Sequence, residues 1–206
     1  MADEAVVHII DDDASLRDAL DSLFRSTGLA TTLHDSVASF LAAAPIADRP
    51  GCLVLDVRLP GMSGLDFQQK LDELGIHLPA VLMTGHGDIP MTVRAMKAGA
   101  VDFLAKPFRD QEMLDAVATA LDRDRQRRQE SGKLDGLKSL YATLSPRERQ
   151  VMALVAAGRL NKQVAGELEL SEITVKIHRG AAMRKMGART LADLVRMAEA
   201  LGLAPE

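Results

Sequence analysis

The sequence predicts an α/β domain on a doubly wound parallel sheet, then a helical linker and a small all-α domain. Short apolar runs alternate with helical patterns over residues 1–121, as in repeated βαβ units. Residues 122–133 then lack any large apolar side chain, so this segment either prolongs the preceding helix or forms a flexible tether. Three closely spaced helix starts follow, which indicate a separate helical module.

Five apolar runs of strand length are bounded by turn residues or charges, which is typical of strands buried in a parallel sheet. The third run ends in a carboxylate, Asp56, followed by Pro60 and Gly61. The predicted strands are residues 5–10, 29–33, 53–56, 80–84 and 101–105.

A helical spacing of apolar residues follows each predicted strand. In the first helix, Leu16, Leu20 and Leu23 recur at this spacing. Ser36, Asp88 and Asp110 are expected at helix starts, and Gly28, Pro45 and Gly99 at helix ends.

Composition excludes several classes of protein. The chain has 206 residues, is 47% hydrophobic and contains one cysteine, so an internal disulfide framework is excluded. No apolar stretch approaches the roughly 18 residues of a membrane span. The acidic start lacks the basic residues of a signal peptide, and we expect a soluble, cytoplasmic protein without a membrane partner.

Charge is distributed unevenly along the chain. Residues 1–124 hold 10 Lys and Arg against 20 Asp and Glu, whereas residues 125–206 hold 15 against 9. An acidic half joined to a basic half favours two modules, and the basic one is a candidate for binding nucleic acid. Solvated surfaces of unequal composition are the alternative.

Polar side chains stand at four of the predicted strand ends: Asp11 and Asp12, Asp56, Thr84, and Lys106. Ligands of open parallel sheets bind at this edge. Three carboxylates in one pocket repel unless a cation is present, and Mg²⁺ with oxygen ligands fits best. With a lysine nearby, such a site suits attack of a carboxylate on a phosphoryl group.

Each of these residues also has an ordinary structural interpretation. The aspartates after the first strand can cap a helix, Thr84 can be a plain strand residue, and Lys106-Pro107 can be a turn. Their occurrence together, in order, at successive strand ends favours a functional site.

The basic half contains a predicted helix-turn-helix. Ser145-Pro146-Arg147-Glu148 is a capping box, Asn161 is expected to cap a second helix, and Ser171 a third. An ordinary surface helix and an amphipathic bundle for protein contacts are the alternatives. On the third helix, one face combines Ile173, Lys176, Ile177, Gly180 and Arg184.

Residues 1–121 resemble the receiver domain of bacterial two-component response regulators, and most closely the FixJ type. The segments that carry the resemblance are HIIDDD, LVLDVRLPGMSGLD, VLMTGHGDIPMTVRAMKAGA and VDFLAKPF. The resemblance implies a flavodoxin-like (βα)5 fold with Asp56 as acceptor of a phosphoryl group from a sensor histidine kinase.

The same resemblance assigns roles to the other residues of the pocket. Asp11, Asp12, Asp56 and the backbone carbonyl of Arg58 would hold Mg²⁺. Thr84 and Lys106 would bind the phosphoryl group, Phe103 would be the aromatic switch residue, and Lys106-Pro107 would be a cis peptide bond.

Residues 140–205, with GRLNKQVAGELELSEITVKIHRGAAMRKMGA, resemble the LuxR/NarL/FixJ helix-turn-helix domain. The resemblance implies that Lys176 and Ile177 meet base edges, and that two copies pair on DNA. Gly180 departs from members with a basic residue there. The implied phosphate contacts are Asn161, Lys162, Thr174 and Arg179.

We therefore predict a receiver domain (1–121), a helical linker (122–140) and a LuxR-type DNA-binding domain (141–206). Phosphorylation would promote dimerisation and binding of double-stranded promoter DNA, where the protein meets the transcription machinery. It would turn over no external substrate. Two rivals stay open: a phosphatase with an aspartyl nucleophile, and a phosphorylation-independent DNA-binding dimer that uses the receiver as an interaction module.

Overall fold

The computed structural model describes residues 5–43, 49–85 and 89–203. In its first part, strands and helices alternate as predicted. They are β1 (Val6–Ile10), α1 (Ala14–Ser26), β2 (Ala30–His34), α2 (Val37–Ala42), β3 (Gly51–Asp56), α3 (Gly64–Lys70), β4 (Ala80–Thr84), α4 (Ile89–Lys97), β5 (Asp102–Ala105) and α5 (Asp110–Ala142).

The five described strands form one parallel sheet in the order β2-β1-β3-β4-β5. Every residue of β1, β3 and β4 is buried, which explains why these strands are apolar without alternation. Separate apolar clusters cover the two faces of the sheet. The flavodoxin-like fold is thus confirmed, with the reversal of strand order between β1 and β3.

Predicted boundaries differ from the observed ones by one or two residues at several strands. β2 begins one residue later than predicted, and β3 already begins at Gly51. Gly28 and Gly99 have positive φ angles of 82° and 88°, so both end their helices as predicted. The expected helix signals at Pro45 and Asp88 lie outside the described residues.

Helix α5 continues without a break through Ser131 and Gly132, so the flexible-tether alternative for residues 122–133 is wrong. The side chain of Asp124 is fully buried and accepts hydrogen bonds from the Gly51 backbone N–H (3.0 Å) and from Arg128 Nε (2.7 Å). These contacts fix α5 to the start of β3. The chain accordingly divides into compact units after Arg128, later than residue 121.

The second unit contains α6 (Pro146–Ala156), α7 (Asn161–Leu168), α8 (Glu172–Met186) and α9 (Leu191–Ala200) besides the end of α5. Small apolar clusters hold these helices together. Ser145 and Glu148 form the predicted capping box, and Glu148 also pairs with Lys185 of α8 at 2.7 Å.

One prediction for this unit is wrong. Asn161 is the first residue of α7 and not its cap, because Leu160 takes the cap position and its backbone N–H is bound by Gln163 Oε1 at 2.8 Å. No helix in the described ranges is long and apolar enough to cross a membrane.

A buried histidine lies on β1 beside a second histidine on β2. His8 Nδ1 is 2.7 Å from Thr32 Oγ1, whose other neighbour is His34 Nε2 at 3.0 Å, and the ring of Phe40 packs against both imidazoles. Burial, with a smaller contribution from the charge of His34, lowers the pKa of His8 to about 4. His8 is therefore neutral in the folded protein at neutral pH.

This burial predicts an acid-dependent loss of stability. Since the folded pKa lies below the ordinary value of 6.5, unfolding takes up a proton, and stability falls as the pH drops from about 6.5 towards 4. At about pH 5 the loss is roughly 2 kcal/mol relative to neutral pH. Urea-dependent hydrogen exchange of β1 amides in the full chain measures this loss of the free energy of unfolding.

We expect His8→Leu to remove most of this loss, and the matched control His77→Leu, at a half-exposed histidine, to keep it. Equal acid sensitivity of His8→Leu and wild type would show that His8 does not cause it.

Candidate functional site

The strand order brings the polar side chains predicted at the strand ends into one place. β1, β3, β4 and β5 are successive neighbours, so their carboxyl ends meet at one edge of the sheet. Asp11 directly follows β1, and Lys106 directly follows β5. The strand-end cluster consists of Asp11, Asp12, Asp56, Thr84 and Lys106.

Lys106 is the central contact of the cluster. Its Nζ donates to Asp11 Oδ2 at 2.7 Å and to Asp56 Oδ2 at 2.6 Å. The second oxygen of each carboxylate is held by the backbone: Asp11 Oδ1 by the N–H of Asp13, and Asp56 Oδ1 by the N–H of Arg58, both at 2.9 Å. Both acids are thereby fixed in position.

The carboxylates of the cluster can hold a metal ion. One oxygen from each of Asp11, Asp12 and Asp56 lies within 4.8 Å of the others. A set of hard oxygen donors with several negative charges suits Mg²⁺ and disfavours softer metals. The residues present therefore fit the Mg²⁺ that the sequence predicted.

Burial and ion pairing act in opposite directions on the protonation of this cluster. Burial raises the pKa of Asp11, while hydrogen bonds from Lys106 and from the Asp13 backbone N–H oppose the increase. For Lys106, burial alone would lower the pKa, but the hydrogen bonds to Asp11 and Asp56 outweigh it and raise the pKa. Lys106 therefore stays charged at neutral pH.

The cluster is open to a reactant on one side. Asp12 is exposed, and the side chain of Asp56 keeps 9% of its surface in solvent, while Asp11 and Thr84 are fully buried. Lys106-Pro107 is a cis peptide bond, as predicted. The backbone N–H of Lys106, directly before this cis bond, donates a hydrogen bond to the Thr84 carbonyl at 2.7 Å. This hydrogen bond ties the ends of β4 and β5 together.

Two further predicted residues lie around the cluster. Phe103, in the middle of the edge strand β5, is half-buried and packs against the apolar cluster on its side of the sheet. Arg58 turns its side chain to solvent, so the structure brings only its backbone to Asp56.

Sequence reasoning missed two residues that support the cluster. Arg17 of α1 donates from Nη1 to the backbone carbonyl of Asp11 at 2.6 Å. Gly64 lies so close to β3 that a Cβ there would stand 2.0 Å from the Asp56 carbonyl oxygen. The turn glycines after Asp56 were the available signal, but only the structure shows which one is in contact.

The second unit presents the predicted helix face of α8 to solvent. Ile173 and Ile177 are 71% and 63% exposed, Lys176 lies between them, and Val175 is buried on the other side. Large apolar side chains exposed in a basic surface indicate a binding face. The α7–α8 turn, with Glu169 at φ 55°, and Ser171 as cap of α8 give the helix-turn-helix geometry.

Ion pairing separates the cations of this unit into two groups. Arg159, Lys185 and Arg196 each have a carboxylate partner within 4.0 Å. A second group has no carboxylate of the described residues within 4.0 Å. It includes four cations of α7 and α8, namely Lys162, Lys176, Arg179 and Arg184.

A parallel-sheet domain with this cluster, followed by a helix-turn-helix unit, defines a regulator that couples a receiver to a DNA-binding domain. Residues 7–118 match the response regulator receiver domain, and residues 142–198 match the bacterial regulatory proteins of the luxR family. The chain belongs to the FixJ-like two-component response regulators, which implies phosphorylation-dependent control of transcription.

Relatives match along almost the whole chain. Nodulation protein W of Bradyrhizobium diazoefficiens is 60% identical, over 97% of this chain and 88% of its own length. Transcriptional regulatory protein FixJ of Azorhizobium caulinodans is 47% identical, over 100% and 97%. The structure of response regulator StyR matches with a TM-score of 0.82 and 46% identity, over 95% of this chain and 98% of that one.

The contact between Gly64 and Asp56 yields a prediction. A Cβ in Gly64→Ala would push against the Asp56 carbonyl (2.0 Å) and Leu55 Cγ (2.9 Å), so β3 and α3 must separate. We expect the free energy of unfolding of the receiver to fall by about 1–3 kcal/mol. Urea-dependent hydrogen exchange of β3 amides in the full chain measures the change.

Gly85→Ala is the matched control, because a Cβ at Gly85, next to Thr84, meets no atom within 4 Å. A Gly64→Ala protein as stable as the control would contradict the tight packing of β3 against α3.

Proposed function

We propose that Asp56 accepts a phosphoryl group from a sensor histidine kinase, and that the modified receiver dimerises and increases binding of promoter DNA by the second unit. The observation that supports it most is the double contact of Lys106 with Asp11 and Asp56 at 2.7 and 2.6 Å. This contact supports the proposal because an ammonium group held against two carboxylates can neutralise the oxygens of a phosphoryl group added to Asp56.

Each residue of the strand-end cluster has a separate role in the proposed phosphoryl transfer. An oxygen of Asp56 forms the new bond to phosphorus while the P–N bond of the kinase phosphohistidine breaks, and the imidazole departs with the bonding electrons. Lys106, kept protonated by its carboxylate partners, neutralises phosphoryl oxygens. Asp11, Asp12, Asp56 and the Arg58 backbone carbonyl would hold Mg²⁺, which would supply further charge neutralisation at those oxygens.

The proposed switch begins at Lys106, because phosphoryl oxygens compete with the carboxylates for its ammonium group. Once Asp56 carries a phosphoryl group, Lys106 and the hydroxyl of Thr84 bind its oxygens, and the ends of β4 and β5 shift together because a backbone hydrogen bond joins them. Phe103 lies on β5 and repacks with that shift. We infer two populated states, of which phosphorylation favours the active one.

The proposed dimer surface consists of α4 and β5. Ile89, Val93 and Met96 of α4 are 81%, 45% and 45% exposed, which is a large apolar surface for one short helix. A second copy of the phosphorylated receiver would cover it. Pairing then brings two DNA-binding domains to half-sites about one helical turn apart.

The DNA-binding domain reads promoter DNA through α8. Lys176 and Ile177 meet base edges, and Asn161, Lys162, Thr174 and Arg179 lie where phosphates pass. The protein acts in the cytoplasm, where it meets promoter DNA and the transcription machinery. Its own phosphoryl transfer and hydrolysis are the reactions it assists.

The test is the intact mass of the full chain after incubation with Mg²⁺ and acetyl phosphate, with molar mass measured by light scattering. Wild type should gain one phosphoryl group and shift towards dimer. Asp56→Asn should gain none and stay unshifted, while the control Asp18→Asn, at an exposed acid of α1, behaves as wild type.

Other outcomes would favour the rivals. Equal dimerisation and DNA binding by wild type and Asp56→Asn would support the phosphorylation-independent dimer. Continuous hydrolysis of a small phosphoester, with many turnovers per chain, would support the phosphatase.

A further inference from the structure

The structure assigns Asn161 a role that sequence reasoning did not: we propose that it is a positioning residue, which holds Arg179 ready to bind a DNA phosphate. This inference rests on the proposed DNA-binding function. It replaces the expectation that Asn161 and Arg179 are two independent phosphate contacts.

The position of Asn161 in its helix shows that its side chain is not used as a cap. Leu160 is the cap residue of α7, and its backbone N–H donates the capping hydrogen bond to Gln163 Oε1. Asn161 Oδ1 instead accepts a hydrogen bond from Nη1 of Arg179 on α8, at 3.1 Å. The contact joins the first residue of α7 to α8, the helix proposed to read DNA, and the two residues are 18 positions apart in the chain.

Arg179 is suited to receive a phosphate in this arrangement. It is half-buried, and no carboxylate of the described residues lies within 4.0 Å of its guanidinium, so its charge has no ionic partner there. The contact to Asn161 occupies one of five N–H donors, which leaves the others for phosphate oxygens. The neighbouring basic residues Lys162 and Lys176 add to the positive potential.

Fixing a guanidinium in advance strengthens binding because an arginine side chain otherwise loses much rotamer freedom when it contacts a ligand. A neutral amide is the right partner for this purpose: it accepts a hydrogen bond from the guanidinium without cancelling its charge. An aspartate would hold the side chain equally well but would neutralise it. This difference makes the proposal testable.

The test uses the full chain and a fluorescein-labelled duplex of mixed sequence, with affinity measured by anisotropy from about 50 to 200 mM NaCl. We expect Arg179→Ala and Asn161→Ala each to weaken binding about tenfold. The double variant should bind no more weakly than Arg179→Ala, because Asn161 acts through Arg179. The slope of log affinity against log salt should become less steep by about 0.9 in Arg179→Ala. The double variant should show the same change and not twice that change.

Lys162→Ala is the control for independent contacts. Lys162 is exposed and forms no hydrogen bond with Arg179, so its effect should multiply with that of Arg179→Ala. Asn161→Asp separates function from folding: its thermal midpoint should equal or exceed that of wild type, while its DNA affinity falls.

Three results would overturn the inference. Independent, multiplicative effects of Asn161→Ala and Arg179→Ala would mean that Asn161 binds its own phosphate. Wild-type affinity of Asn161→Ala would mean that the contact does not matter for DNA. A loss of affinity in Asn161→Ala that matches a loss of folded protein by circular dichroism would mean a structural role. Absence of DNA binding by wild type would refute the proposed function itself.

Discussion

The shared ion pair of Lys106 is the interaction on which the rest of the receiver site depends. Two carboxylates, one directly after β1 and one at the end of β3, lie at one edge of a buried sheet, and each would be costly without a partner. One ammonium group satisfies both and links them to the end of β5. A phosphoryl group on Asp56 would therefore change the charge balance of Asp11 and the position of Lys106, and this is the route that we propose from the reaction to β5.

The sequence sufficed to predict the fold and the members of this cluster for a physical reason. Strands buried on both faces are continuously apolar, and a charge directly after such a run must lie at the sheet edge. Parallel strands place these charges on the same edge, so Asp11, Asp56 and Lys106 could be expected together before any coordinates. The cis peptide bond at Lys106-Pro107 came only from family resemblance.

The remaining features depend on contacts between residues far apart in the chain. Nothing in the local pattern shows that Asp124 of α5 binds the backbone of Gly51, or that Gly64 touches Asp56. Asn161 illustrates the same limit, since a helix-start preference predicted a cap, whereas the side chain is directed to Arg179 on another helix. Propensities act along the chain, and such tertiary contacts override them.

The central claim, that Asp56 is the phosphoryl acceptor, is tested most directly by chemical trapping. Wild type treated with Mg²⁺ and acetyl phosphate is reduced with borohydride, which converts an aspartyl phosphate to homoserine, and its peptides are mapped by mass spectrometry. If Asp56 is the acceptor, homoserine appears at position 56 and nowhere else. A folded protein with intact aspartate at 56, or with homoserine at another position, would contradict it.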